Sequence, residues 1–173
     1  MTNRFRNVQD ANSLLARDHR AYLPAGGKLV NVSEEKRRTD RTVIEEAFRR
    51  QSAKDVDGFL ELFTEDIDAR VPWQVPGLTG SNTGRAELRK SLAVLALFDP
   101  FAIEIISIDP LLDSDRWLVT AKSDAMVLPT GRPYRQEYVH LLRLRDGKIA
   151  QWVTYQNPLN QIYAFDIELP AYD

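Results

Sequence analysis

The run YVHLLRLRDGKIAQWVTYQNP sets one His, one Trp and two Tyr (His140, Trp152, Tyr138 and Tyr155), with Thr154 among them, on either side of Asp146-Gly147. His140 is one of 2 histidines, the other being His19. An imidazole ordinarily titrates near neutrality, which suits it to donate or accept a proton; the plain alternative is a core histidine satisfied by Tyr138 or by backbone. Asp124 sits in an otherwise apolar stretch, where an unpaired carboxylate is costly, so it needs a partner such as Lys122 or Tyr138, or a water-filled pocket. The alternative for Asp124 is an exposed strand position. Tyr138 can donate to a developing oxyanion, or it can simply pack. Trp73 and Trp152 offer flat surfaces with one hydrogen-bond donor each, suited to a planar organic ligand or to a core.

Strands must bring these side chains together, and their register decides which of them meet. The residues flanking Asp146-Gly147 are β-branched and aromatic, which predicts two strands joined by a tight hairpin. With Gly147 as the bulge after a type I turn, Leu144 pairs with Lys148, His140 with Trp152 and Tyr138 with Thr154. A two-residue turn shifts the pairing by one and sets His140 opposite Val153. The breaker Pro129-Thr130-Gly131-Arg132-Pro133 closes the preceding hairpin; if symmetric about Gly131, it places Asp124 opposite Tyr138 and Lys122 opposite His140. One face then carries Asp124, Tyr138, His140, Trp152 and Thr154, and the other carries Ala125, Val127, Val139, Leu141, Val153 and Tyr155. A sheet apolar on both faces is covered twice, here by helices over a cavity and by a second copy of the chain.

Upstream of the strands the apolar spacing is helical. Val43, Ile44, Ala47 and Phe48 share one face of a helix from about Ser33 to Ala53, and Asp55 caps a short second helix carrying Val56, Phe59, Leu60 and Phe63. Ile67 to Trp73 reads as a strand, followed by the loop VPGLTGSNTG. A third helix opens at Thr83 or Gly84, with Leu88, Leu92, Leu95 and Phe98 inward, and ends at Asp99-Pro100. Period-two segments follow over Phe101 to Ile108, Trp117 to Leu128, Tyr134 to Leu144 and Lys148 to Gln156. Helices segregated from strands predict an α+β fold: three N-terminal helices packed on a curved, mainly antiparallel sheet. Residues 1–33, with the breaker Pro24-Ala25-Gly26-Gly27, read as an extension that is disordered, packs on a partner or covers a cavity mouth; residues 34–173 read as the domain.

Composition narrows the function classes. A net charge of −2, with both signs interspersed, offers no footprint for nucleic acid, and Lys36-Arg37-Arg38 reads as a solvated helix entry. With 0 cysteines there is no thiolate chemistry and no disulfide, and 2 histidines argue against a multi-histidine metal centre. Apolar runs are too short to cross a bilayer, and the first residues lack the apolar segment of a signal peptide, so the expected location is cytoplasmic and no membrane partner is expected.

The order of these elements, together with EEKRRTDRTVIEEAF, LFTED, the Gly-Arg opening helix three, YRQEYVH before DGKI, and NPLNQIYAFDIELP, resembles the SnoaL-like branch of the NTF2-like, or ketosteroid-isomerase-like, superfamily. The resemblance runs from about Glu34 to Pro170 and is greatest to phenazine-biosynthesis A/B-type proteins. It implies a cone-shaped α+β barrel, a homodimer, and cofactor-free acid–base chemistry on a small, largely apolar biosynthetic intermediate in a hydrophobic cavity. His140 matches a family histidine. The carboxylate of the family's last strand falls on Thr154, and the helix-three histidine of the phenazine proteins falls on Ser91, which argues against the phenazine reaction itself. The expectation is a cyclase or isomerase without metal or other cofactor. His140, Asp124 and Tyr138 would be catalytic, with Trp73, Trp152, Thr154 and Ser91 holding the substrate. A non-catalytic ligand-binding or assembly protein is the competing expectation.

Overall fold

α1 (Glu34–Ser52) buries Asp40, Ile44, Ala47 and Phe48, a stripe at helical spacing. Acidic Glu34 and Glu35 open it and basic Arg49 and Arg50 close it, each favourable to the helix dipole. The computed structural model describes residues 34–169 apart from 76, 79 and 114, so the expectation for residues 1–33 lies outside the described residues. The carboxylate of Asp55 accepts from the Gly58 amide at 3.0 Å and caps α2 (Val56–Glu61). Phe63, expected on the face of that second helix, instead begins β1 (Phe63–Arg70).

β1 stops at Arg70, before Pro72, and so does not reach Trp73 as expected. Within the following loop lies a short β2 (Ser81–Thr83), after which Gly84, at φ 84, leads into α3 (Arg85–Leu92). A 3₁₀ turn over Ala93–Leu97 continues to Phe98, which starts β3 (Phe98–Pro110) rather than ending a helix. β4 (Arg116–Val127), β5 (Arg132–Arg145) and β6 (Lys148–Gln156) complete the strands, and α4 (Pro158–Phe165) follows, a helix the periodicity reading did not single out. Asn157 caps α4 by accepting from the Leu159 amide, and Pro158 occupies its first turn.

The six strands among the described residues form one curled, unclosed sheet in the order β2-β1-β6-β5-β4-β3, parallel between β1 and β6 and antiparallel elsewhere. This is the α+β class expected, with helices covering one face. Strict alternation along β4 and β5 buries Trp117, Val119, Ala121, Ser123, Ala125 and Val127 on one strand and Tyr134, Gln136, Tyr138, His140, Leu142 and Leu144 on the next. Ile44, Phe48, Phe63, Ile67 and Ile149 join them in the core. Each such side chain contributes roughly 1.5–3 kcal/mol on leaving water.

Two registers differ from expectation. At the last hairpin Asp146 and Gly147 both take positive φ, 52 and 72, the geometry of a two-residue type I′ turn, and Arg145 pairs with Lys148. A bulge at Ala150 then moves the pairing by one, so His140 faces Thr154, Leu142 faces Trp152 and Tyr138 faces Gln156. Turn and bulge together restore the expected face, which is why His140, Tyr138, Trp152 and Thr154 share it although neither expected pairing holds.

The middle hairpin has the opposite outcome. Its loop is Leu128 to Gly131, closed by Gly131 N–H donating to Val127 O at 2.8 Å, so Val127 pairs with Arg132 and Asp124 with Arg135. That odd offset turns β4 over relative to the symmetric reading. Asp124 therefore lies on the outer face, away from His140, while Ala125 and Val127 lie inside. None of the described helices is long and apolar enough to cross a membrane.

Candidate functional site

Helices α1 to α4 and the inner sheet face leave two adjoining chambers, an outer one of about 360 Å³ and an inner one of about 200 Å³. Gln51, Trp152, Thr154 and Gln161 line both. Together they match the space needed for a small organic molecule. Arg70 and Lys90 are the charged residues lining the outer chamber, and the inner one has no charged lining residue among those described. No Asp or Glu among the described residues lines either. Among the described residues no group of three His, Cys, Asp or Glu is placed to hold a metal ion.

The centre of the site is His140. Its ring is buried against Phe48 at 5.2 Å edge to face, stacks on Tyr138 at 5.3 Å, and meets Trp152 edge-on at 5.2 Å. The indole N–H of Trp152 donates to His140 Nδ1 at 3.0 Å and to Thr154 Oγ1 at 2.9 Å, and Thr154 Oγ1 lies 3.0 Å from the same Nδ1. An indole N–H can only donate, so a proton on Nδ1 would face another proton. Nδ1 is therefore the acceptor and the imidazole proton sits on Nε2. Nε2 is buried and has no hydrogen-bond partner among the described residues. Burial alone pushes the imidazole down to about 3, so His140 is neutral at physiological pH.

A second polar line runs beside it. Tyr138 donates to the Tyr134 hydroxyl at 3.2 Å, and Ser123 Oγ lies 3.0 Å from the Tyr138 hydroxyl. With the Tyr138 proton given to Tyr134, Ser123 donates to Tyr138, and Gln136 also meets the Tyr134 hydroxyl. Burial raises both phenols, Tyr138 most strongly, which keeps them protonated donors.

The expected site residues separate into two groups. His140, Tyr138, Trp152 and Thr154 converge at the inner chamber, and Ser91 lines the outer one, its hydroxyl donating to Asn82 Oδ1 at 2.6 Å. Asp124 is excluded by the register of β4: its carboxylate is exposed and lies 3.5 Å from Arg135. Trp73 also falls outside, because the strand ends before it; the ring is 54% exposed and packs edge-on against Tyr155 of the outer face. Sequence reasoning missed Gln51, Tyr134, Ser123 and Gln156. Gln51 follows Ile44 and Phe48 on the apolar stripe of α1. Tyr134 continues the two-residue spacing of Tyr138 and His140. Both signals were legible in the spacing.

Residues 44–152 match the model of the SnoaL-like domain. The uncharacterized YesE protein of Bacillus subtilis (strain 168) is 40% identical over 47 residues, which is 27% of this chain and 32% of that protein, so the match spans about a third of the relative's length. Among solved structures, a Bacillus subtilis protein with a provisional isomerase assignment superposes with a TM-score of 0.70 at 23% identity, over 76% of this chain and 95% of that one. A phenazine biosynthesis-related protein of Pseudomonas aeruginosa gives 0.63 at 21% identity, over 81% and 93%. SalBIII, an epoxide hydrolase/cyclase-like enzyme of pyran ring formation in polyether salinomycin, gives 0.63 at 18% identity, over 73% and 96%.

Proposed function

Since this chain belongs to the SnoaL-like family, within the NTF2-like superfamily of isomerases and cyclases, we propose that it isomerises or cyclises a small, largely apolar biosynthetic intermediate without a cofactor. In this reading His140 serves as a neutral hydrogen-bond donor to a substrate oxygen. The observation that carries the proposal is the buried, unpartnered Nε2 of His140, beside a chamber whose described lining holds no charge. A preorganised N–H in a low-dielectric site stabilises charge developing on oxygen far better than it would in water. Tyr138 supports it by stacking on the imidazole, its own hydroxyl held by Ser123 and Tyr134.

A cyclisation consistent with these groups is internal addition in a hydroxy-enone. The hydroxyl oxygen bonds to the β-carbon, and the alkene pair moves to form an enolate whose oxygen takes the His140 N–H. The proton lost by the hydroxyl ends on the α-carbon, so substrate and product are isomers. An epoxide oxygen leaving under internal attack asks the same of His140. Turnover of hydroxy-enones and hydroxy-epoxides by His140→Phe and His140→Gln tests this. The Phe variant should lose about 100-fold in kcat, as loss of one oxyanion donor does elsewhere, and Gln, which keeps an N–H, should retain more. Unchanged kcat in both refutes the assignment.

One observation favours a second reading, a non-catalytic binder. Thr154 stands where the resemblance places a carboxylate, and no described lining residue supplies one. Ligand binding with turnover no faster than buffer would select it.

We also propose a homodimer through the outer sheet face, where Val139 (39% exposed) pairs with Tyr155 and Leu141 with Val153. Sedimentation of wild type and Val139→Asp checks it: a dimer that dissociates in the variant supports the interface, and a monomeric wild type refutes it.

A further inference from the structure

Two buried side-chain atoms without a hydrogen-bond partner among the described residues belong to residues lining the inner chamber, and their chemistry is complementary: Gln51 Oε1 accepts and His140 Nε2–H donates. They come from different elements. Gln51 lies in the last turn of α1, one turn beyond Phe48, whose ring meets the imidazole; His140 lies on β5. Buried polar atoms in folded proteins are nearly always satisfied, and two left open beside one cavity take their partners from what fills it, water or a ligand. A ligand meeting both must present a donor to the helix side and an acceptor to the sheet side. With no charged residue among the described lining, neither group needs to be ionic.

We propose that the ligand carries a hydroxyl and a carbonyl-type oxygen on one apolar frame, the hydroxyl donating to Gln51 Oε1 and the oxygen accepting from His140 Nε2. The class comprises hydroxy-ketones, hydroxy-enones and enolised diketones. This rests on the reading of His140 as a neutral donor and adds Gln51 as the residue that selects and positions the second oxygen. Should the Gln51 amide turn over, it presents N–H₂ instead, which accommodates an ether as readily as a hydroxyl; the two orientations are thus separable by methylating the ligand.

The experiment is a binding titration of wild type, Gln51→Met and His140→Phe with the hydroxy-1-tetralones bearing hydroxyl at each ring position, their methyl ethers, 1-tetralone and tetralin. For at least one position the hydroxyl compound should bind wild type about tenfold or more tighter than its ether, because a site built to pair with a hydroxyl rejects the analogue lacking it. That preference should fall below about twofold in Gln51→Met and persist in His140→Phe. Ether and hydroxyl binding equally at every position overturns the proposal, as does a preference that survives Gln51→Met or the absence of binding by every member. The wild-type comparison stands whether or not the variant folds. Failure of the His140 reading is distinct: 1-tetralone would bind no better than tetralin, whatever the hydroxyl does.

Discussion

The indole N–H of Trp152 lies 3.0 Å from Nδ1 of His140, on the adjacent strand and two residues before Thr154, which faces that histidine. This contact fixes the tautomer of the imidazole, and with it the chemistry open to the site. An imidazole whose Nδ1 accepts and whose Nε2 is protonated is a donor toward a ligand, not a base.

The buried neutral imidazole predicts a specific pH dependence of stability. The folded pKa of about 3 lies below the ordinary 6.5. Between these values the unfolded chain binds the extra proton, so the contribution of His140 to stability is complete above the unfolded pKa and is lost as pH falls toward the folded one. The slope reaches about 1.4 kcal/mol per pH unit. Urea unfolding of wild type and His140→Gln from pH 7.5 to 4.5 measures it as a difference: wild type should lose stability faster, and parallel curves would contradict neutral burial.

Removing the donor should release the tautomer. In Trp152→Phe, Nδ1 keeps Thr154 as a partner that can donate or accept, so both neutral tautomers become accessible. Imidazole ¹⁵N shifts should show a single Nε2–H form in wild type and a mixture in the variant. Stability should fall by about 1–3 kcal/mol from the lost hydrogen bond and the imperfectly filled space among Phe48, Phe59 and Phe63.

The fold was legible because its elements follow simple periods: the stripe Ile44, Ala47 and Phe48 on α1, and alternation from Tyr134 to Leu144 on β5. The shared face of His140, Tyr138, Trp152 and Thr154 was legible too, through two compensating offsets, a shorter turn and a bulge at Ala150. Neither offset is set by period-two patterning. Asp124 was misplaced because nothing in the alternation of β4 distinguishes the two registers: Ala125 and Val127 look as apolar as Asp124 looks functional. The four-residue loop that decides between them depends on the geometry at Gly131 and on contacts from α4, remote in sequence.

That register makes Asp124 a negative control. Its carboxylate and Arg135 are largely exposed, so the pair is screened by solvent. Asp124→Asn should change stability by under about 1 kcal/mol and leave ligand affinity and turnover at wild-type values, read in the same assays as His140→Phe. A large loss of turnover without loss of stability would return the carboxylate to the site.

α4 is the element through which the inner chamber can be loosened without touching His140. Its last turn is tied down by Thr130, whose hydroxyl donates to Ala164 O at 2.6 Å, and by Arg132, which donates to Tyr163 O at 2.9 Å and to Asp166 at 2.6 Å. These ties hold Phe165 against Phe98 and Tyr134, closing one wall of the chamber. Thr130→Val removes one tie and should cost about 1 kcal/mol, expressed as faster amide exchange confined to α4. Phe165→Ala removes the wall itself. It should cost about 2–4 kcal/mol, near the lower range for buried aromatics because the ring is only partly buried, and it should shift binding toward bulkier ligands. Exchange that accelerates across β5 as well as α4 in Thr130→Val would show instead that the helix and the strand bearing His140 open as one unit.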